Sequence, residues 1–274
     1  MKAGNIHFGL KGLRRSVGIL AATALTLGAA AASKAALVFD NVSNFRNAAA
    51  GASGTSTGTT PNTFMGDGYT LLSGTTSITG FDLYPVNNSG TAFAALRLTI
   101  YVWGTVNTTG TVSATTPAFS NLLASYTVTS TITGGFANGT YLAYESATPG
   151  VNPGLALGAP LVPTGNTVGL TFAYQGSTDG TNFASVNSLT SLITYGTPAT
   201  VGSNVFNGYY RNANSETDGN FTSALRSLGV TNQGLAVRVY GNVVPEPGTW
   251  ALLAAGGVVG LLAVRRRAGA ARAA

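Results

Sequence analysis

The chain of 274 residues has no cysteine, and its single histidine is His7. The missing thiols exclude disulfides, thiol nucleophiles and Cys-ligated metal centres. Lysine is confined to Lys2, Lys11 and Lys34, so residues 36–243 contain no His, Lys or Cys. The usual general base, the Schiff-base amine and the phosphate-loop lysine are absent from that stretch, and Ser-His triads with them. Charge is scarce too: 8% of residues are charged, which excludes coiled coils and helical surfaces built from Lys and Glu. A hydrophobic content of 45% excludes highly charged disorder. What fills the chain instead is Gly, 37 residues of it, together with Thr, a composition suited to strands and tight turns.

The net charge of +6 belongs to the two ends. Lys2, Lys11, Arg14, Arg15 and Lys34 precede residue 36, and Arg265, Arg266, Arg267 and Arg272 close the chain. Residues 36–243 hold five arginines (46, 97, 211, 226, 238) and seven acids (40, 67, 82, 145, 179, 216, 218), so the middle has a net charge of −2. It offers no basic patch to a phosphate backbone, which argues against nucleic-acid binding.

Residues 1–35 read as a secretory signal peptide. A basic n-region is followed by an apolar run at 17–32 (VGILAATALTLGAAAA) and by small residues that allow cleavage after about Ala32 or Ala35. A run of this length could also be a membrane anchor, but its small-residue end favours cleavage. At the other end, Pro245-Glu246-Pro247 precedes an uncharged stretch at 250–264 (WALLAAGGVVGLLAV), and Arg265, Arg266 and Arg267 follow. Fifteen helical residues span roughly 22 Å, short of a hydrocarbon core of ~30 Å. Trp250 suits one interface, and the arginines can snorkel at the other. Positive charge stays cytoplasmic, so Pro245 and everything before it are expected to face outward.

This three-part order resembles the PEP-CTERM sorting signal. The resemblance covers residues 244–267: Pro245, Glu246 and Pro247 carry the motif, 250–264 the transmembrane helix, and Arg265, Arg266 and Arg267 the stop. It implies an exported protein of a Gram-negative bacterium, held transiently in the membrane and processed there by an exosortase, with cleavage near Pro247. It also implies an association with exopolysaccharide and biofilm. It says nothing of what the middle does.

Residues 36–243 are enough for one sizeable core. Period-2 alternation dominates. Leu98, Ile100 and Val102 share one face of 97–103, and Arg97, Thr99, Tyr101 and Trp103 share the other. Leu170 and Phe172 alternate with Gly169, Thr171 and Ala173, and Val237 and Val239 alternate with Arg238 and Tyr240. The apolar members of these sets are the expected core. Further strands are expected at 36–40, 76–84, 124–132, 140–144, 154–161 and 192–195, with turns at Asn87-Asn88-Ser89-Gly90 and Asn138-Gly139. Residues 47–62 (NAAAGASGTSTGTTPN) are too poor in large side chains to pack, so a long loop is expected there. The fold class is all-β, an antiparallel, jelly-roll-like β-sandwich. The expected organisation is a signal peptide at 1–35, the β-sandwich at 36–243 and the sorting signal with its hydrophobic helix at 244–274.

Three chemistries remain open to such a body. Paired carboxylates among Asp67, Asp82, Asp179, Glu216 and Asp218 could run glycoside hydrolysis. Most of these acids sit beside glycine, in turn-like contexts where acids bond their own backbone. Asn212, Asn214, Glu216, Asp218 and Asn220 place oxygen ligands at alternate positions around Gly219, which suits calcium, although the EF-hand pattern is absent. Arg97, Tyr101 and Trp103, with Tyr209-Tyr210-Arg211 as further aromatic and cationic surface, could form a glycan-binding face. The sequence as a whole points to a non-enzymatic exported protein. It is expected at the cell envelope or in the extracellular matrix, structural or adhesive in association with exopolysaccharide. The alternative is a carbohydrate- or calcium-binding module.

Overall fold

Alternation in the sequence becomes strand in the structure, and every strand pairing is antiparallel. The computed structural model describes residues 36–244, apart from 44–46, 51–63, 110–111, 113–115, 147–149, 151, 187–188, 213–226 and 228, and also Gly256. For 47–50, 211 and 212 it describes the backbone alone. All of these residues belong to the second of the two units into which the chain divides, Ala35–Ala274.

The strands are β1 (Ala36–Asp40), β2 (Asn47–Ala50), β3 (Phe64–Thr70), β4 (Thr75–Leu83), β5 (Pro85–Asn87), β6 (Phe93–Val106), β7 (Phe119–Phe136) and β8 (Thr140–Tyr141). They continue with β9 (Leu155–Leu161), β10 (Thr167–Ser177), β11 (Ala184–Ser185), β12 (Leu189–Tyr195), β13 (Ser203–Asn204), β14 (Tyr210–Asn212), β15 (Gly234–Leu235) and β16 (Val237–Val243). One sheet runs β1-β16-β4-β9. A second runs β13-β3-β10-β6-β7, with β11 added on β10 and β14 on β3. A third runs β15-β12-β5-β8, with β2 added on β12.

The long strands are the ones whose alternation is cleanest, because one face of each is buried in a shared apolar cluster. Phe39, Ile78, Phe81 and Val239 reach it from the first sheet, Met65, Leu98, Ile100, Leu170 and Phe172 from the second, and Ile193 and Leu235 from the third. All seven residues expected in the core (Leu98, Ile100, Val102, Leu170, Phe172, Val237 and Val239) are at most 1% exposed. Gly90 and Gly139 sit in the two expected turns with φ near +80° (81° and 76°), a conformation that only glycine adopts at no steric cost.

Two local expectations are corrected. Gly66-Asp67-Gly68 is not a turn but the middle of β3, paired with β10 from Thr70↔Thr167 to Phe64↔Ala173. Its glycines leave room for a second apolar layer on the outer face of the sheet: a Cβ on Gly68 would lie 2.9 Å from Val106 and 3.0 Å from Phe206. The start of the expected loop at 47–62 is a strand, since Asn47–Ala50 pairs with Leu192–Tyr195 of β12; 51–62 lies outside the described residues.

Candidate functional site

The chain enters its C-terminal segment from β16, and the register of that strand sets what holds it. β16 lies between β1 and β4, so Arg238 stands directly between Asp40 and Asp82 in one row across three strands. Its Nε lies 3.4 Å from Asp40 Oδ1, and its Nη1 lies 3.4 Å from Asp82 Oδ2 and 2.6 Å from Glu145 Oε1. Nη1 also donates to the Tyr84 hydroxyl (2.9 Å), and Nη2 donates to Ser43 Oγ (3.2 Å). Tyr84 in turn donates to Glu145. Asp82 is closed off by the Tyr240 hydroxyl on Oδ2 (2.7 Å) and the Gly154 N–H on Oδ1 (2.7 Å). Glu145, 22% exposed at its side chain, and the exposed Ser43 form the rim of an otherwise buried cluster.

The electrostatics follow from burial and donors. Burial raises the Asp82 carboxyl above the ordinary range, against the pull of Tyr240, Gly154 and Arg238. Burial opposes ionisation of Asp40 as well, but donors from Ser43, Val42 and Thr200 outweigh it and hold Asp40 below the ordinary range. Burial disfavours the charge on Arg238, and Tyr84, Asp40 and Glu145 outweigh it, so the guanidinium is held charged more firmly than usual. Beyond this anchor the last described contacts hold the strand to its end: Val243 pairs with Thr75, and the Val244 N–H donates to Gly74 O at 2.9 Å. Pro245 is the next residue.

The other carboxylates considered for catalysis are placed as follows. Asp67 is 0% exposed. Its Oδ2 accepts from Leu235 N (2.9 Å) and its Oδ1 from Gly68 N (2.7 Å), and burial pushes its carboxyl well above the ordinary range. Asp179 is exposed and accepts from the backbone of Thr181 and Asn182, in the manner expected of a turn acid. Glu216 and Asp218 lie outside the described residues, as do Asn214 and Asn220. Of the expected calcium ligands, only the backbone of Asn212 is described, in β14. Among the described residues no group of three or more His, Cys, Asp or Glu is arranged to hold a metal ion.

The aromatic face expected on β6 is partly covered. Arg97, Tyr101 and Trp103 do share one face, but Trp103 is 7% exposed, packed with Phe64, Val106, Phe119, Phe206 and Tyr210. Its Nε1 donates to Thr171 Oγ1 at 2.9 Å. Tyr209 and Tyr210, expected to add surface, are buried at 2% and 0%. The pattern of 97–103 carries no sign of this, because the covering side chains come from distant segments. A Cβ on Gly169 would lie 2.3 Å from the Phe119 ring, which shows how closely that layer is seated. What stays half-exposed is Tyr101, stacked on Trp103 at 6.4 Å, and Arg97, whose guanidinium lies 4.1 Å over the Phe183 ring.

Compared with known protein families, residues 243–267 match the PEP-CTERM protein-sorting motif. That stretch is a PEP-CTERM sorting signal. The motif implies an exported protein that is anchored transiently in the membrane and processed by an exosortase, a membrane enzyme, before it is sorted to the cell surface. It starts at Val243, the last residue of β16, so the PEP-CTERM signal and the folded body share a residue. Pro245, Glu246, Pro247, Trp250, Arg265, Arg266 and Arg267 lie outside the described residues, and among the described ones no helix is long and apolar enough to cross a membrane. The body matches no family, and comparison with curated proteins and with solved structures finds no match.

The Arg238 cluster was missed by sequence reasoning. A signal for it existed: in a chain with 8% charged residues, Asp40, Asp82 and Arg238 each stand alone inside an apolar strand. A solitary charge in such a place calls for a buried partner.

Proposed function

We infer that this is a non-enzymatic exported protein whose body is a jelly-roll-like β-sandwich, delivered to the cell envelope or the extracellular matrix by its PEP-CTERM signal. Its role there is structural or adhesive, in association with exopolysaccharide. The observation that carries this reading is the placement of the motif directly behind a strand clamped on both sides. β16 is hydrogen-bonded to β1 and β4 and pinned by Arg238. A cut after Val244 therefore releases the body with all its strands. The signal peptide at 1–35 sends the chain outward, and the 250–264 helix with Arg265, Arg266 and Arg267 stops it. Pro245 and Pro247 deny Glu246 regular helix or sheet and present it extended to the exosortase. The absence of His, Lys and Cys from 36–243 and the sealing of Asp67 and Asp82 support a body without catalysis.

The test is to change Pro245-Glu246-Pro247 to Ala and, separately, Arg265, Arg266 and Arg267 to neutral residues. The first variant is expected to accumulate as an uncut, membrane-bound form by intact mass and fractionation. The second is expected to loosen retention. If the first is cut and released like the parent protein, a plain tail anchor takes the place of the sorting reading.

A second reading, a carbohydrate-binding module, draws on the half-exposed neighbourhood of Arg97 and Tyr101, where a cation over the Phe183 ring lies beside hydroxyls and Gln175. Aromatic and hydrogen-bonding groups on one flat face suit a sugar ring. Binding of the protein to polysaccharide arrays, with and without Ca²⁺, separates this reading and the calcium site at 212–220 from a purely structural role. The module reading expects saturable binding to one glycan class.

A further inference from the structure

β7 is 18 residues long, about three times the usual strand of ~5–6 residues, and it spans roughly 60 Å. Among the described residues it pairs only with β6, so its other edge offers a row of backbone N–H and C=O groups to solvent. Proteins ordinarily guard such an edge with lysine, proline, a bulge or brevity. Elsewhere this molecule does so. The β9 edge carries Pro160, the β1 edge has a register irregularity between Leu37 and Phe39, and β2, β8, β11, β13 and β14 are two to four residues long. β7 has register irregularities only toward its two ends, between Ala124 and Leu122 and between Thr131 and Phe136. Between Phe119 and Phe136 there is no charged residue and no proline. Its pairing with β6 runs unbroken from Ala124↔Val102 to Thr131↔Ala95, so the stretch 124–131 is regular.

We propose that the free edge of β7 is an interface through which two copies of this chain pair, antiparallel and about a two-fold axis, joining their sheets into one. The occupant follows from three observations. The strand is self-complementary. Ser125, Thr127, Thr129 and Thr131 form an exposed hydroxyl row, and Ala124, Tyr126, Val128, Ser130 and Ile132 form a half-buried one. Two-fold pairing centred on Val128 sets Ser125 against Thr131 of the partner subunit and Thr127 against Thr129 of the partner subunit, while the second row meets itself. Thr–Thr cross-strand pairs are favourable, and the molecule already makes one on this face, with Thr99 Oγ1 and Thr127 Oγ1 3.1 Å apart. Second, an uncharged strand gives a charged partner nothing to recognise. Third, among the described residues each chain has one long unguarded edge. That closes a pair and stops there, since a filament needs two.

The test is sedimentation of the full chain across a concentration series, in a mild detergent that covers the apolar 250–264 segment. The wild type is expected as a monomer–dimer equilibrium. Thr127→Lys/Thr129→Lys keeps exposed positions exposed but sets like charges across the axis, and is expected to weaken association about tenfold or more. Ala159→Lys, on the proline-guarded β9 edge, is expected to leave association unchanged. Amide exchange on the wild type gives a second reading that needs no variant: protection within 124–132 should rise with protein concentration. A wild type that stays monomeric throughout overturns the proposal. So does a double variant that associates like the wild type, or exchange in 124–132 that is independent of concentration.

Discussion

Replacing Arg238 by Met should destabilise the body by about 3–5 kcal/mol, the range for removing one member of a buried ion pair. The residue is 8% exposed and stands between Asp40 and Asp82, which are 1% and 0% exposed. Methionine fills much of the same volume, so the loss isolates charge rather than packing. The size of the effect comes from what is left behind: two buried carboxylates with no cation between them. The pH dependence gives the sign. Burial already raises the Asp82 carboxyl in the folded state, and loss of the guanidinium, which pulls against that, raises it further. A group raised on folding contributes stability that is present below its unfolded pKa and lost as pH rises through its folded one. The deficit of Arg238→Met should therefore be largest at neutral pH and shrink as pH falls toward about 4, the unfolded carboxylate range. Urea denaturation at both pH values reads this directly. Equal deficits at the two would show that Arg238 acts through packing alone.

Phe172→Ala should cost a similar ~3–5 kcal/mol by a different route, the cavity left by a fully buried ring. Phe172 is 0% exposed in the middle of β10, paired on one side with Met65 and on the other with Ile100, and its ring stacks on Tyr174 at 6.5 Å. Strands on both sides limit how far the site can collapse. The loss should be the same at neutral and acid pH, which separates it from the Arg238 variant. A loss near zero would mean that the inward face of β10 is not the one described.

These two residues also mark where the sequence is legible and where it is not. Phe172 is visible from its own strand, because alternation over Leu170, Phe172 and their neighbours states which face is inward, and the burial of β6, β10 and β16 follows the same rule. Arg238 occupies a position that alternation assigns to solvent. It is buried because Asp40 and Asp82, about 200 and 156 residues away, come to lie on either side of it. No local pattern encodes such a distance. Trp103 and Tyr210 were misassigned for the same reason, since Phe119 and Phe206 cover a face that reads as polar. β3 was hidden by its composition. Gly66, Asp67 and Gly68 spell a turn, yet here the glycines make room for rings and the carboxylate holds the N–H of Leu235. The sorting motif at 243–267 was legible from its tripeptide, its uncharged stretch and its arginines, because that signal is linear and needs no fold to be recognised.

The pairing of β1 with β16 makes the body a loop closed by its own ends: Ala36 lies opposite Gly241, and between them runs almost everything else. The strand that completes the first sheet is the last to be synthesised and the last to emerge, and it must slot between two strands already separated along the chain. Closure over about 200 residues is entropically late and slow. The final register is therefore settled only when the residues immediately ahead of Pro245 have cleared the membrane. The first sheet is thus completed no earlier than that point, and a chain halted before it would present an open gap between β1 and β4.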